Sequence, residues 1–323
     1  MIFIFRLGNA LDTSAPNSNV DTHSSESDTR GIGIACRLDS PQAIETVQII
    51  SDFLLAKKER IFYETRISQK FIPHFRKNLD EMTVENTKFI ISVGGDGTIL
   101  RVAQSIPKKN PPPILGVNLG SMGFLDESEP KSVTEDLEKV LTGKFQLEKC
   151  ARIATYIDNQ RLPDALNEVL AITSKNSKVL YVNISIDGNF FTSSYLDGVI
   201  VSTNTGSTAY ALSAGGVLLD PREQAFEIVP LNPFAGTGGF RPLIVPTFST
   251  IEIQLLRPRL MGLVVIDGQV EYKIGPKSKI KIVRSESDVS FIRFSDKIES
   301  RFYQKVGEKI LFSRKLADDS LES

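Results

Sequence analysis

Cysteine and histidine are scarce in this chain of 323 residues, with two of each. Cys36 and Cys150 lie far apart and form no metal-ligand cluster, a pattern that fits a reducing cytoplasm rather than a disulfide scaffold. With only His23 and His74 to assist them, a zinc centre is not expected. An excess of either charge is also missing. Against 38 basic residues stand 39 acidic ones, a net charge of -1, so no global basic field points to nucleic acid or to an anionic membrane as a partner. Long apolar runs are absent too: none approaches the roughly 20 residues that span a bilayer. Met1 to Phe5 is too short for the core of a signal peptide, and Arg6 stands on its wrong side. The expectation is a soluble, cytoplasmic protein with small-molecule or protein partners. Its length suits two domains, each able to bury its own core.

The most informative stretch that is present runs from residue 89 to 98, Phe-Ile-Ile-Ser-Val-Gly-Gly-Asp-Gly-Thr. Ile90, Ile91 and Val93 are β-branched and suit a central strand. Gly94, Gly95 and Gly97 then allow a close backbone approach that a Cβ would forbid, leaving N–H groups to face an anion. Thr98 to Ile106 reads as a helix whose N-terminus adds partial positive charge at the same place. Asp96 among these glycines has two readings: a cap for the helix, or a carboxylate that holds a metal or takes a proton.

Around this loop the chain alternates. Gly31 to Cys36 suggests a strand, and Ser40-Pro41 opens a helix with Ile44, Val47, Ile50, Leu54 and Leu55 on one face. Arg60 to Tyr63, a short helical stretch, residues 88–93 and Ile114 to Asn118 continue the alternation, which argues for a parallel sheet covered on both faces. From about Phe145 the grammar changes to period two: Val182, Ile184 and Ile186 alternate with Asn183, Ser185 and Asp187, and Asp187-Gly188 supplies a turn. Leu263 to Gly268 and Lys279 to Val283 repeat it, predicting antiparallel pairing. The expected organisation is a disordered extension over residues 1–30, an α/β domain over 31–146, a β-rich domain over 147–298, and a segment over 299–323 that returns to the first domain. The extension, rich in Ser, Thr, Asp and Asn, has two open readings, regulatory or an overextended reading frame.

A second glycine-rich block, Asp197 to Tyr210, also runs strand, turn, helix. Ser202, Thr203, Thr205, Ser207 and Thr208 crowd it with hydroxyls suited to ribose, phosphate or base edges, beyond the one or two that helix capping calls for. Taken together the motifs resemble the NAD kinases. Gly94 to Thr98 is similar to that family's G-G-D-G-T, Asn118 to Leu125 to its N-x-G-x-x-G-F, and Asn167-Glu168 to its N-E pair. Asp197 to Tyr210 resembles its D-G…T-G-S-T-A-Y, and Asp267-Gly268-Gln269 its D-G-Q. The first motif alone would suit phosphofructokinases and lipid kinases as well; the other four separate them.

The resemblance implies an N-terminal Rossmann-like α/β domain, a C-terminal β-rich NAD-binding domain and an active site in the cleft between them. It implies transfer of a phosphoryl group from ATP or polyphosphate, with Mg2+ or another divalent metal, to the 2′-hydroxyl of the adenosine ribose of NAD. Asp96 would be the catalytic base, and Gly94, Gly95, Gly97 and Thr98 the phosphate loop. Arg101 would reach a phosphate or remain a solvated helix residue. Asn167 and Glu168 would hold the adenosine and ribose, and Thr208, Ala209, Tyr210, Ala211, Leu212 and Ser213 would line the adenine pocket. Asp197 would meet the nicotinamide end. Gln269 would contact the dinucleotide or serve only a hairpin turn, and Lys178 would be a ligand or a strand-edge lysine. A homodimer or homotetramer is implied as well. Two departures stand out: Tyr195 occupies a place where relatives carry arginine, and Asn204 replaces a proline. The competing readings are a lipid or sugar kinase on the same fold, and a catalytically silent dinucleotide sensor.

Overall fold

A computed structural model describes residues 29–67, 71, 75–120, 123–175, 178–234, 239–256, 261–294 and 298–311. The expected extension, but for its last two residues, and Ser121 and Met122 within the second motif lie outside them. β1 (Gly31–Cys36) is buried along its whole length, as a strand covered on both faces must be. Ser40 accepts from the Ala43 N–H and caps α1 (Pro41–Ala56), which turns Ala43, Val47, Ile50 and Leu54 inward. Leu55, expected on that stripe, is 52% exposed because the helix rotates it past the seam. β2 (Ile61–Glu64) and β3 (Arg76–Lys77) follow, then a short 3-10 turn at Leu79–Glu81 where a helical stretch was expected. β4 (Thr87–Gly94), α2 (Asp96–Ser105), β5 (Ile114–Asn118), α3 (Val133–Leu141) and β6 (Gln146–Cys150) complete the first half.

The second half is a run of antiparallel strands. These are β7 (Ile153–Ile157), β8 (Gln160–Arg161), β9 (Glu168–Thr173), β10 (Leu180–Ile186), β11 (Asn189–Leu196) and β12 (Gly198–Ser202). After the short α4 (Tyr210–Ser213) come β13 (Ala225–Leu231), β14 (Leu243–Pro246), β15 (Ile251–Leu255), β16 (Gly262–Ile266), β17 (Val270–Ile274) and β18 (Lys279–Arg284). β19 (Val289–Arg293) and α5 (Ile298–Val306) end the described fold. Two six-stranded sheets, β11-β10-β15-β18-β7-β8 and β14-β13-β12-β9-β16-β17, share one core that includes Ile184, Val201, Phe226, Ile253, Val264 and Ile280. The turns read from Asp-Gly pairs are left-handed at both central residues, with φ of 52° and 76° at Asp187 and Gly188 and 48° and 63° at Asp267 and Gly268. That is the geometry a two-residue hairpin connection favours.

The first sheet has the order β3-β2-β1-β4-β5-β19-β6. Its strands are parallel except for β6, which pairs antiparallel with β19. The chain therefore leaves this sheet by β6 and returns to it by β19, with both six-stranded sheets between. At the crossing Arg152 is 1% exposed and donates from Nε to the Ser287 carbonyl at 3.0 Å and from a terminal nitrogen to the Lys108 carbonyl at 2.9 Å. Sequence order reverses between β1 and β4, which opens a crevice beyond their carboxyl ends, where ligands bind in open α/β sheets. No helix among the described residues is long and apolar enough to cross a membrane.

Candidate active site

β4 delivers the glycine-rich loop into that crevice. Its buried apolar run stops at Gly94, Gly95 takes the N-cap position in an extended conformation, and Asp96 is the first residue of α2. Asp96 does not cap the helix. Its Oδ2 accepts the Phe124 N–H at 2.9 Å and its Oδ1 the Leu125 N–H at 3.2 Å, so the carboxylate ties the glycine loop to the motif that follows β5. Gly123 has to be glycine for this contact, since a Cβ there would strike the Asp96 carboxylate. Beside it, among the described residues, no atom beyond the loop's own chain neighbours and helix backbone lies within 4 Å of where a Cβ would stand on Gly95 or Gly97. Uncovered backbone at a helix N-terminus is what a phosphate needs. Arg101 points elsewhere. It grips the Glu64 carboxylate through two nitrogens, at 2.5 and 2.9 Å, and also reaches the Cys36 carbonyl.

The N-E pair and the D-G-Q turn meet on adjacent strands. Asp267, 4% exposed, accepts the N–H groups of Leu166, Asn167 and Glu168 at 2.9, 2.7 and 3.0 Å. Gln104 of α2 donates to the same carboxylate and to the Ile266 carbonyl, both at 3.2 Å, which joins the glycine-loop helix to this turn. Asp267 is thus the anchor of the pair, while Gln269 is exposed beyond the turn. Asn167 Oδ1 and Glu168 Oε2 are buried without a hydrogen-bond partner among the described residues. Such atoms are costly unless something polar binds them. Burial, and then the Asp267 charge, push the Glu168 carboxyl up to about 8.

The second block leans on the same place. Glu168 of β9 pairs with Ser202 of β12, and a Cβ on Gly206 would strike the Asn167 carbonyl. The hydroxyls expected to face a ligand hold the loop's own backbone. Thr203 Oγ1 donates to the Leu166 carbonyl and accepts from Gly206 N–H, Ser207 donates to the Asn204 carbonyl, and Thr208 donates to the Thr205 carbonyl. Asn204 fills the proline's place by donating its amide to the carbonyls of Asp220, Pro221 and Glu223. Ala209 and Tyr210 close the turn, Tyr210 is 43% exposed with Leu212 and Ser213 beside it, and Ala211 is fully buried beneath. Asp197 sits at the opposite end of β12 from Ser202, about 17 Å away at the usual rise per strand residue. Its carboxylate accepts from Asn232 Nδ2 at 2.8 Å. Lys178 is exposed just before β10, whose Leu180 pairs with Leu196, so it shares that far end. Tyr195 stacks on Tyr181 there, with ring centroids 4.2 Å apart.

Residues 32–145 match the family described as the ATP-NAD kinase N-terminal domain, and residues 166–294 the ATP-NAD kinase C-terminal domain. The NAD kinase of Methanothermobacter thermautotrophicus is 39% identical over 280 residues, covering 87% of this chain and 96% of that protein. The chain belongs to the NAD kinase family. The fold agrees with solved members. An NAD kinase of Archaeoglobus fulgidus in complex with ATP superposes with a TM-score of 0.69 at 29% identity, covering 85% of this chain and 98% of that one. Yeast NADH kinase complexed with NADH superposes with a TM-score of 0.77 at 24% identity, covering 88% of each. The expected α/β architecture with a β-rich second half is that of these kinases, and the chain is an enzyme of the NAD kinase class.

Among the described residues no group of three His, Cys, Asp or Glu side chains is placed to hold a metal. Two further groups of the kinase went unread in the sequence: Arg301 and Lys305 of α5, four residues apart and so on one helix face. Lys305 donates to Asp126 Oδ1 at 2.8 Å, and Arg301 contacts the Asp126 carbonyl and the Glu127 carboxylate. Asp126 in turn accepts the Gly123 N–H at 2.5 Å, which places both cations behind the Asp96 loop.

Glu168 carries a pH signature. Its carboxyl titrates near 4.5 when unfolded and about 8 when folded. The folded state therefore holds that proton more tightly, and the associated stability is complete below about pH 4.5 and lost as pH rises through 8. Between pH 5 and 8 the native chain is expected to lose up to ~1.4 kcal/mol per pH unit relative to Glu168→Gln. Urea unfolding of both proteins across that range measures it; parallel stability curves would mean that Glu168 ionises in the fold as it does in water.

Proposed function

We propose that the chain transfers the terminal phosphoryl group of ATP, with magnesium, to the 2′-hydroxyl of the adenosine ribose of NAD. The observation that carries this reading is the company Asp96 keeps. An acidic side chain held by two backbone N–H groups stands at the mouth of an open glycine cradle, and its helix is tied by Gln104 to the segment bearing Asn167 and Glu168. The cradle suits the donor's phosphates. The two unpartnered oxygens of Asn167 and Glu168 suit the adenosine and its hydroxyls, and the half-exposed ring of Tyr210 suits the base.

In the reaction the bond between the terminal phosphorus and its bridging oxygen breaks, the ribose oxygen forms the new bond, and its proton passes to Asp96. Bound magnesium would offset charge on the donor's phosphates. The backbone of Gly95 and Gly97 orients the phosphates, and Glu168, neutral at pH 7, can donate as well as accept a hydrogen bond. Lys178 and Asp197 lie at the far end of the sandwich within one chain, so their part in binding calls for a second copy, and the proposal includes a homodimer or homotetramer in the cytoplasm. Purified protein with magnesium and NAD, offered ATP or polyphosphate and assayed with an NADP-specific dehydrogenase, tests the reaction. NADP formed from either donor supports it and names the donor. Binding of NAD without product would turn the reading toward a sensor.

A further inference from the structure

Lys305 of α5 holds its ammonium where burial is costly: the residue is 4% exposed, and the fold surrounds the cation with acceptors. Its Nζ donates to Asp126 Oδ1 at 2.8 Å, to the Asp126 carbonyl at 3.1 Å and to the Phe124 carbonyl at 3.4 Å. Three hydrogens thus meet three oxygens, all on the loop that follows β5. The Phe124 carbonyl is the one that bears on the chemistry. It belongs to the peptide group whose N–H is that of Leu125, and this N–H donates to Asp96 Oδ1 at 3.2 Å. A single peptide group therefore stands between the Lys305 ammonium and the Asp96 carboxylate. A cation on its oxygen side polarises the group and strengthens the N–H that holds the carboxylate. Asp126 accepts the Gly123 N–H at 2.5 Å, and a Cβ on Gly123 would strike both carboxylates. Two acidic groups therefore flank one glycine, and Arg301, the second cation behind them, feels the charge of both. Tyr303 ties α5 to the second half as well, its Oη donating to Asp220 Oδ2 at 2.6 Å.

Resting on the kinase reading, we infer that Lys305 is a positioning residue for Asp96: acting through the Phe124–Leu125 peptide group, its charge keeps the carboxylate aimed at the ribose hydroxyl and ready to take the proton. Burial, and then Arg301, push the Lys305 ammonium down to about 8, so its charge is lost as pH rises through that value. The charged groups facing it are Asp126 of the loop, Arg293 of β19 and Arg301 of its own helix, with Glu127 paired to both arginines.

The test uses the full chain, Lys305→Met, the charge-neutral pair Lys305→Met with Asp126→Asn, and each of these combined with Asp96→Asn. The pair is included because Lys305→Met alone leaves the Asp126 carboxylate buried without its nearest cation. NADP formation is followed below each variant's unfolding midpoint, with kcat and the KM for NAD determined separately. Lys305→Met is expected to lower kcat about 10- to 100-fold with the KM for NAD changed by less than about twofold, and the charge-neutral pair to lose as much. In the Asp96→Asn background neither change should lower kcat further, since both act through the carboxylate already removed. A charge-neutral pair that recovers native kcat would make Lys305 a counter-ion for Asp126 and overturn the inference. Losses that multiply with that of Asp96→Asn, or a raised KM for NAD at native kcat, would overturn it too. A further readout needs no variant: native kcat should fall as pH rises through about 8, and a flat kcat across that value overturns the inference even where the variants do not fold. A native chain that forms no NADP ends the kinase reading and this inference with it. A native chain that forms NADP while the variants keep kcat ends this inference alone.

Discussion

Replacing Asp96 by asparagine is expected to cut kcat by about 10²- to 10⁴-fold, the usual worth of a positioned general base, while NAD still binds. The amide keeps the shape and loses the ability to take the ribose proton. The structure adds a cost in stability. Both carboxylate oxygens accept a backbone N–H, from Phe124 and Leu125, and an asparagine must turn its NH2 toward one of them. That mismatch should lower stability by ~1–3 kcal/mol, so turnover has to be measured well below the variant's unfolding midpoint, alongside NAD titration by calorimetry. Full turnover would remove Asp96 from the chemistry. Loss of NAD binding together with turnover would make it a scaffold for the Phe124 loop instead.

The second large effect is expected at Asp267, which touches no expected substrate atom through its own side chain. Asp267→Ala leaves the N–H groups of Leu166, Asn167 and Glu168 without their acceptor in a buried place. Each unsatisfied group costs ~1–3 kcal/mol, a sum that takes a large share of the ~5–15 kcal/mol that holds a domain folded. Asp267→Asn keeps one acceptor oxygen and should fall between the alanine variant and the native chain. Removing the charge also lets the Glu168 carboxyl fall from its raised value, because Asp267 is one of the two causes that hold it up. Unfolding midpoints and the KM for NAD measure the two effects. Equal midpoints for all three proteins would mean that the Asn167–Glu168 segment is held by its strand neighbours alone.

Those two residues also show what a sequence carries. The glycine loop was legible because a buried β-branched run that ends in three glycines permits few structures, and β4 followed by α2 is the result. The two Asp-Gly turns were legible for the same local reason. Asp96 was recognised as unusual, but its partners lie 28 and 29 positions away in a different loop, a relation no local pattern encodes. Asp267 reads as a turn residue and is one; that it also gathers three N–H groups about 100 positions upstream follows only from β9 and β16 being neighbours. β3 escaped notice because Arg76 and Lys77 are polar and become a strand only by pairing with Tyr63 and Glu64. Val289 to Arg293 has the same apolar character whichever sheet it joins, so its place beside β5 had to be seen. Arg301 and Lys305 carried a signal, their four-residue spacing, in a segment expected only to return to the first domain.

The β6–β19 pair has a mechanical consequence. Among the described residues, the covalent routes between the seven-stranded sheet and the two others run side by side, as the ends of two strands paired over five residues. A double strap of this kind flexes easily about one axis and resists torsion, because twisting would shear its ladder of hydrogen bonds. Arg152 holds the strap where it crosses, by donating to the carbonyls of Ser287, in the turn that leads into β19, and Lys108 of the first half. Torsion between the two halves about this strap is thereby opposed, and Gln104, reaching Asp267 from α2, adds a second tether on the side of the glycine loop.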